Sequence, residues 1–124
     1  MLFLALRAYL ELIRIDVYLR AEDFASLYNF VRSYQVNKVN SRNSTERICA
    51  AVDMACIWYW KQVLCLQRSA ATACLLKANG IAAAMIIGGQ QMPFKAHAWV
   101  EVNGRVVNDK PYMREMYAVL DQCY

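Results

Sequence analysis

One stretch of the chain decides the fold, and it runs from Cys65 to Asp109. Its first part, residues 65–80, reads C-L-Q-R-S-A-A-T-A-C-L-L-K-A-N-G. Its second part, residues 81–88, is the apolar run I-A-A-A-M-I-I-G, and its third, residues 93–109, is P-F-K-A-H-A-W-V-E-V-N-G-R-V-V-N-D. A thiol, the only histidine of the chain and a carboxylate follow one another here. These three groups can serve as a nucleophile, its base and the group that orients the base.

The residues after Cys65 predict a buried helix. Almost all of them are small or apolar around the whole circumference of the helix, which is typical of a helix without a solvent-facing side. Asn79-Gly80 predicts its end, because glycine suits the left-handed residue that follows a helix. With Cys65 at or near the first turn, unpaired backbone N–H groups and the positive end of the helix dipole favour the thiolate. Taken alone, Cys65 also fits a buried structural cysteine.

The segment H-A-W-V-E-V, residues 97–102, predicts a strand. Its alternation places His97, Trp99 and Glu101 on one face and the three intervening apolar residues on the other. Alternatively, a single histidine on a strand is a half-buried residue whose hydrogen bonds are satisfied and which has no catalytic role.

Asn103-Gly104 after this strand predicts a hairpin. A two-residue loop would set Asp109 on the face opposite to His97, because a slip of one residue inverts every side chain. We therefore predict a three-residue loop with Gly104 left-handed in a bulge. The expected pairs are Glu101 with Arg105, Trp99 with Val107 and His97 with Asp109. The alternative for Asp109 is a turn residue at the end of the strand.

These motifs resemble the leader peptidases of lasso peptide biosynthesis, a family with a transglutaminase-like and papain-like cysteine protease core. The resemblance rests on C-L-Q-R-S, G-I-A-A-A-M-I-I-G-G, P-F-K-A-H-A-W-V-E and V-V-N-D. His97 follows Cys65 by 32 residues and Asp109 follows His97 by 12, which is similar to the triad spacing of that family. The resemblance covers about the last sixty residues.

The resemblance implies roles for individual residues. Cys65 is the expected nucleophile, His97 the general base and acid, and Asp109 the residue that orients the imidazole. Gln62 is the expected oxyanion donor beside the N–H of the cysteine, by similarity to papain-like folds. Trp60 and Trp99 are candidate substrate contacts, and the alternative is that these aromatic side chains wall the core.

The implied function is a cysteine peptidase that removes the leader from a ribosomally made lasso precursor through a thioester. The implied partners are the lasso precursor peptide, a separate leader-recognition protein and an ATP-dependent lasso cyclase. The recognition protein is expected to be separate because the first sixty residues lack alternating strands. No metal or organic cofactor is expected. Two alternatives stay open: a transglutaminase-like acyltransferase, and a non-catalytic module that binds the leader or a partner.

Length, charge and cysteine usage narrow the class of protein. We expect one domain over residues 1–124, with an N-terminal helical part at 1–44 and the protease core at 45–124. The net charge of +4 is spread along the chain, which predicts a solvated surface and no nucleic-acid partner. Five cysteines without a C-x-x-C pair, and with one histidine, argue against a zinc site and a disulfide framework. Together with the absence of a secretory signal, this predicts a cytoplasmic protein.

The N-terminal twenty residues predict an amphipathic helix. Charged residues interrupt the apolar run before the ~20 residues of a membrane span are reached. The residues at helical spacing form a stripe, and we expect this stripe to pack on the core. Alternatively, a second apolar edge of the helix docks the recognition protein or the precursor. The members of the stripe are Phe3, Leu6, Leu10, Ile13 and Val17.

The remaining elements complete an α+β fold, in which N-terminal helices and the buried nucleophile helix pack on an antiparallel sheet. A second helix is expected over Ala21–Val36, and a third after a cap at Asn43 or Ser44. A polar linker is expected at residues 37–45. The other expected elements are a strand Ala82–Ile87, a loop at Gly88-Gly89 with Pro93 downstream, and a last helix within Met113–Leu120.

Overall fold

The computed structural model describes residues 2–21, 23–37, 43–90 and 95–123. The middle of the predicted linker and the loop around Pro93 lie outside the described residues. Four helices precede a four-stranded antiparallel sheet with strand order β3-β2-β1-β4, so the predicted α+β class is confirmed. The elements are α1 (Leu2–Ala21), α2 (Phe24–Ser33), α3 (Thr45–Trp58), α4 (Cys65–Ala78), β1 (Ala84–Gln90), β2 (Lys95–Val102), β3 (Arg105–Val106), α5 (Met113–Met116) and β4 (Ala118–Cys123).

Helix α4 lies in the middle of the molecule, as its apolar pattern predicts. It packs against α1 and α3 on one side and against β2 on the other. The predicted end is confirmed, because Gly80 has a φ of 84° and the N–H of Ile81 donates to the carbonyl of Leu76. Even Lys77 is buried, and its Nζ donates to the carbonyl of Val31 at 2.9 Å. This bond ties α2 to α4.

Helix α1 packs through a different face from the one that we predicted. The stripe of Phe3, Leu6, Leu10, Ile13 and Val17 is exposed, so its expected packing on the core is wrong. The buried face is instead formed by a second set of residues at the same helical spacing. Its members are Leu4, Ala5, Ala8, Glu11, Leu12, Ile15 and Asp16.

Helices α2 and α3 begin at side-chain caps. The carboxylate of Asp23 accepts from the N–H of Ser26 at 2.9 Å, and the hydroxyl of Ser44 accepts from the N–H of Arg47 at 3.2 Å. The cap predicted at Asn43 or Ser44 is therefore Ser44. Helix α2 is shorter at both ends than the predicted span Ala21–Val36.

The sheet is covered on both faces. Met85 and Val100 join the core formed by the helices. Ile86 and Trp99 face the other way and pack with Met113 and with the start of the C-terminal strand. The alternation predicted for residues 97–102 is thus confirmed.

Two predicted boundaries near the sheet are wrong. Strand β1 runs to Gln90, so Gly88 and Gly89 lie within the strand and not in a loop. The tail forms only the short helix α5 before it pairs with β1 as strand β4, where we expected a helix up to Leu120.

Candidate active site

Cys65 is the first residue of α4, in the first turn, where we expected it. The N-cap residue of α4, Leu64, makes no side-chain hydrogen bond to the first-turn N–H groups. The first-turn N–H groups and the positive end of the helix dipole are therefore directed at the surroundings of the thiol. Cys49, Cys56 and Cys65 are free thiols.

Cys65 and His97 line the same small cavity, of about 110 Å³. Its other walls are apolar and come from α2, α4, β1 and β2: Phe24, Leu66, Ile87, Ala96 and Ala98. A larger cavity of about 440 Å³ lies at the opposite end of β2, beside Asn103 and Gly104, but no thiol lines it. The smaller cavity brings a cysteine and the histidine to one opening.

His97 is hydrogen-bonded to Asp109, with 2.7 Å between the imidazole Nε2 and the carboxylate Oδ2. Burial alone would raise the pKa of Asp109, but the hydrogen bonds from His97 and from the backbone N–H of Lys110 outweigh it, with help from the charge of Arg68. The pKa of Asp109 is therefore below its usual value. An ionised carboxylate only accepts hydrogen bonds, so Nε2 carries the proton of neutral His97. Nδ1 is then the nitrogen that is able to take a proton.

Asp109 reaches His97 by a route that differs from our prediction. The turn is a plain two-residue Asn103-Gly104 turn, with φ values of 54° and 76°, and it pairs Val102 with Arg105. The predicted three-residue loop, with Glu101 opposite Arg105, is therefore wrong. Strand β3 instead ends at Val106, and the chain bends away from the sheet before Asp109.

Strand β3 has only two residues, and the side chains of Asn108 and Ser69 make hydrogen bonds to β2 that a longer strand would make. Asn108 Oδ1 accepts from the N–H of Val100 at 2.7 Å, a position that a neighbouring strand would fill with a backbone carbonyl. Asn108 Nδ2 donates to Ser69 Oγ, and Ser69 Oγ donates to the carbonyl of Ala98. These bonds fix the bend that carries Asp109 to the histidine, and they anchor it to α4.

Two aromatic side chains hold the imidazole of His97 from the sheet side. The ring of Tyr117 stacks on it with centroids 5.4 Å apart, and that of Trp99 lies 6.3 Å away. Trp99 is 0% exposed and donates to Glu101 at 2.9 Å, so it lies beneath the histidine and not along the cavity. A Cβ at Gly88 would come within 2.6 Å of the Trp99 ring, so only glycine fits there without a shift.

The N-terminal end of α4 is held by a buried carboxylate on α1. Gln67 accepts from the N–H of Leu64 and donates to Asp16 Oδ1 at 3.3 Å. Asp16 also accepts from Tyr59 at 3.1 Å and from Lys61 at 2.8 Å. Burial alone would raise the pKa of Asp16, but the hydrogen bonds from Lys61 and Tyr59 outweigh it and lower that pKa. Helix α1 therefore fixes the position of the turn that carries Cys65.

The two remaining predicted site residues lie ahead of Cys65. Gln62 is exposed, three residues before the thiol, and is not among the cavity walls. Trp60 is also exposed and packs against the cationic groups of Arg20 and Lys61, 5.4 Å and 5.1 Å from its ring centroid. The structure does not bring either side chain to the cavity.

A sequence model of the transglutaminase-like superfamily matches residues 10–122, which include Cys65, His97 and Asp109. The chain belongs to the transglutaminase-like superfamily. This transglutaminase-like chain is also similar to the microcin J25-processing protein McjB of Escherichia coli, at 32% identity over 94 residues. The match covers 73% of this chain and 45% of McjB, so the chain spans less than half the length of that relative. No solved structure matches the chain.

Two further properties describe this transglutaminase-like chain. None of the helices within the described ranges combines the length and apolarity that crossing a membrane requires. Within those same ranges, the side chains of His, Cys, Asp and Glu do not gather into groups of three or more that could hold a metal ion.

Sequence reasoning missed several residues that support the site. Arg68 lies one turn after Cys65, and its Nη2 donates to the carbonyl of Asn108 and lies 4.0 Å from Asp109. Its spacing of three residues from the cysteine is a signal that could have found it. Asn108 stands next to Asp109 in the V-V-N-D motif. Tyr117 gave no signal, because its partner depends on how β4 pairs with β1.

Proposed function

We propose that this chain is a cysteine peptidase that cleaves the leader from a ribosomally made lasso precursor. The observation that carries the proposal is the hydrogen-bonded pair of His97 and Asp109, whose imidazole shares a cavity with Cys65. Membership of the transglutaminase-like superfamily and similarity to a microcin-processing protein support it. The resemblance of the C-L-Q-R-S and A-H-A-W-V-E motifs to lasso leader peptidases supports the choice of substrate.

In the first half of the proposed reaction, Nδ1 of His97 takes the proton of the Cys65 thiol. The thiolate attacks the carbonyl carbon at the junction of leader and core, and a tetrahedral oxyanion forms. The backbone N–H of Cys65 stabilises this oxyanion. The C–N bond then breaks, and His97 returns its proton to the departing amine.

In the second half, water hydrolyses the thioester. His97 removes a proton from the water as the water oxygen attacks the thioester carbonyl; the C–S bond then breaks, His97 returns the proton to the Cys65 sulfur, and the leader leaves with a carboxylate. Asp109 remains ionised throughout, holds the tautomer of His97 and stabilises the imidazolium. The freed amine of the core is the product that an ATP-dependent cyclase joins to an acidic side chain in the next reaction.

The proposal includes a separate leader-recognition protein as partner. We infer this partner from the resemblance to the split form of the lasso leader peptidases. In the part of the first sixty residues that the structure describes, the regular elements are helices. A recognition protein would supply most of the affinity for the leader.

The test is co-expression of the chain with the small open reading frames that neighbour its gene, followed by mass spectrometry of the peptide. We expect a core peptide without its leader in the wild type, and the uncleaved precursor with Cys65→Ala or His97→Ala. Cys56→Ala is the matched control, because this thiol lies on α3 outside the cavity, and it should cleave like the wild type. Cleavage that survives Cys65→Ala would contradict the proposal.

Family membership also favours a second candidate, acyl transfer from the thioester to an amine. Mixing the protein with a leader–core peptide, with and without an excess of a primary amine, separates the two. A leader with a free carboxylate indicates hydrolysis, whereas a leader that carries the amine as an amide indicates transfer. If neither product forms and Cys65 shows no enhanced reactivity, the chain is a non-catalytic binding module, the third candidate.

A further inference from the structure

The cavity beside Cys65 has the properties of a side-chain pocket. Every wall that the described part of the chain contributes, apart from Cys65 and His97 themselves, is apolar. The pocket opens beside the thiol, so a substrate whose carbonyl is attacked by Cys65 has a side chain at its mouth. Apolar walls without charged groups favour an apolar side chain there.

Phe24 is the wall that comes from outside the layer of α4 and the sheet. It is the first residue of α2, is 49% exposed, and lines the pocket together with Ile87 of β1. Helix α2 is fixed behind it, because Leu27 and Val31 are fully buried and Lys77 bonds to the carbonyl of Val31. The phenyl ring therefore belongs to a helix whose position is fixed by the core.

Beyond Phe24 lies a second cavity of about 200 Å³, which also contacts Phe24 and Ile87 and extends along α2 towards Asp121. The two cavities share these two walls. Removing the phenyl ring would therefore join the pocket beside Cys65 to the larger cavity.

We propose that this pocket is the subsite for the side chain of the residue whose carbonyl is attacked, and that Phe24 limits that side chain to a small or branched aliphatic group. The inference rests on the proposed function, since it assumes that Cys65 is the nucleophile. The volume decides the size limit. An apolar cavity of about 150 Å³ holds benzene, whereas this pocket has about 110 Å³. We therefore expect valine or leucine to fit it better than an aromatic ring.

The test uses acetyl-dipeptidyl chloromethyl ketones that differ only in the residue bearing the ketone: alanine, valine, leucine or phenylalanine. The rate of alkylation of Cys65 is measured by mass spectrometry of the intact chain and its peptides. In the wild type, we expect the valine or leucine reagent to react at least about 10-fold faster than the phenylalanine reagent. In Phe24→Ala, this ratio should fall towards about 1, because the ring that excluded the aromatic group is gone.

A second variant changes the pocket in the opposite direction. Ala96 lines the pocket and is exposed, so Ala96→Val narrows it without disturbing the core. We expect the leucine reagent to slow by about 10-fold relative to the alanine reagent. Phe3→Ala is the matched control for Phe24→Ala, because Phe3 is 83% exposed on α1 and does not line the pocket. It should keep the wild-type preference.

Iodoacetamide has no amino-acid side chain, so it measures the reactivity of Cys65 separately from the specificity of the pocket. Rapid labelling of Cys65 by iodoacetamide, with equal rates for all four ketones, would overturn the subsite and leave the peptidase proposal intact. So would a preference that is unchanged in both Phe24→Ala and Ala96→Val. If Cys65 reacts slowly even with iodoacetamide, the proposed function fails and the subsite fails with it. If Phe24→Ala does not fold, Phe24→Leu and Ala96→Val decide the question.

Discussion

At the residue scale, the chemistry of the site depends on which nitrogen of His97 is free. The bond from Nε2 to Asp109 leaves Nδ1 for the proton of a thiol. The lowered pKa of Asp109 keeps this carboxylate ionised at neutral pH, where it accepts the hydrogen bond from Nε2. In the proposed reaction, Asp109 acts through the histidine and does not touch the substrate.

Asp109→Asn tests this positioning role. An asparagine fits the space but cannot hold the same tautomer of His97, so we expect cleavage to slow by up to about 10⁴-fold, the loss known for the equivalent change in a serine protease. The loss should fall mainly on kcat and leave KM nearly unchanged, since the carboxylate does not contact the substrate. A variant that cleaves at the wild-type rate would show that the orientation of His97 does not depend on Asp109.

The hydrogen-bonded pair of His97 and Asp109 also predicts how the stability of the fold depends on pH. Because the native-state pKa of Asp109 is lowered, its ionised form contributes stability above the unfolded-state pKa of about 3.9, and that contribution is lost as pH falls through the native pKa. The free energy of unfolding of the wild type should therefore exceed that of Asp109→Asn at pH 7, and the difference should shrink below about pH 4. Urea denaturation at several pH values measures it. A difference that grows on acidification would contradict the assignment.

Glu11 gives the opposite prediction. It is buried on α1, and among the described residues its Oε2 has no hydrogen-bond partner. Burial raises its pKa, against the charges of Arg14 and Arg7. Ionisation of this carboxyl therefore costs stability at neutral pH, and the cost vanishes below the unfolded-state pKa of about 4.3, where it is protonated in both states.

Glu11→Gln should accordingly raise the urea midpoint at pH 7 and leave it unchanged near pH 3. The exposed Glu115→Gln is the control and should do neither. A loss of stability at pH 7 in Glu11→Gln would show that the ionised carboxylate stabilises the fold.

At the scale of elements, α1 shows what a sequence pattern cannot decide. Its two faces carry apolar residues at the same helical spacing, and the two carboxylates Glu11 and Asp16 mark the face that is buried. Charges normally point to the exposed face, so the pattern favoured the wrong one. Asp16 is buried because Tyr59, Lys61 and Gln67 are brought to it by other elements. That tertiary arrangement is not encoded within the helix.

A matched pair of leucines tests the orientation of α1. Leu12 is 0% exposed and Leu6 is 59% exposed on the same helix. Leu12→Ala should lower the free energy of unfolding by about 2–5 kcal/mol, because it leaves a cavity in the core. Leu6→Ala should change it by no more than about 0.5 kcal/mol. Equal losses in urea denaturation would mean that the exposed face is covered in solution.

In the hairpin, the conformational preference of Asn103-Gly104 decides the turn. Our prediction of a longer loop, made from the expected geometry of the site, was wrong. Asn103-Gly104 takes left-handed φ at both positions, as a two-residue turn requires, although this register sends Asp109 to the wrong face. The conflict is resolved four residues after Gly104, where Asn108 hydrogen-bonds to Val100 and the chain bends. The contact of His97 with Asp109 was predictable from the motif. The bend was not, since it depends on Ser69 of α4.

At the scale of the whole molecule, the site joins elements that are distant in sequence. Cys65 comes from the central helix, His97 from β2, Asp109 from the bend after β3, and Phe24 from α2. The buried helix and the strand of His97 were predictable because their patterns allow one packing each. The pairing of β4 with β1, which brings Tyr117 to the imidazole, was not, because long-range pairing leaves little signal in the tail.

The central claim is that this arrangement activates one thiol among several. Cys56 is the internal reference, because it is partly buried like Cys65, lies outside the cavity, and has a pKa raised by burial. Burial raises the pKa of Cys49 further, to about 11. Neither of these thiols should ionise readily at neutral pH.

The most direct measurement is the rate of iodoacetamide labelling at each cysteine near neutral pH, read by mass spectrometry in the wild type and in His97→Ala. We predict that Cys65 is labelled at least about 10-fold faster than Cys56 in the wild type, and that His97→Ala removes this advantage. Labelling of Cys65 that is no faster than that of Cys56 in the folded wild type would contradict the account.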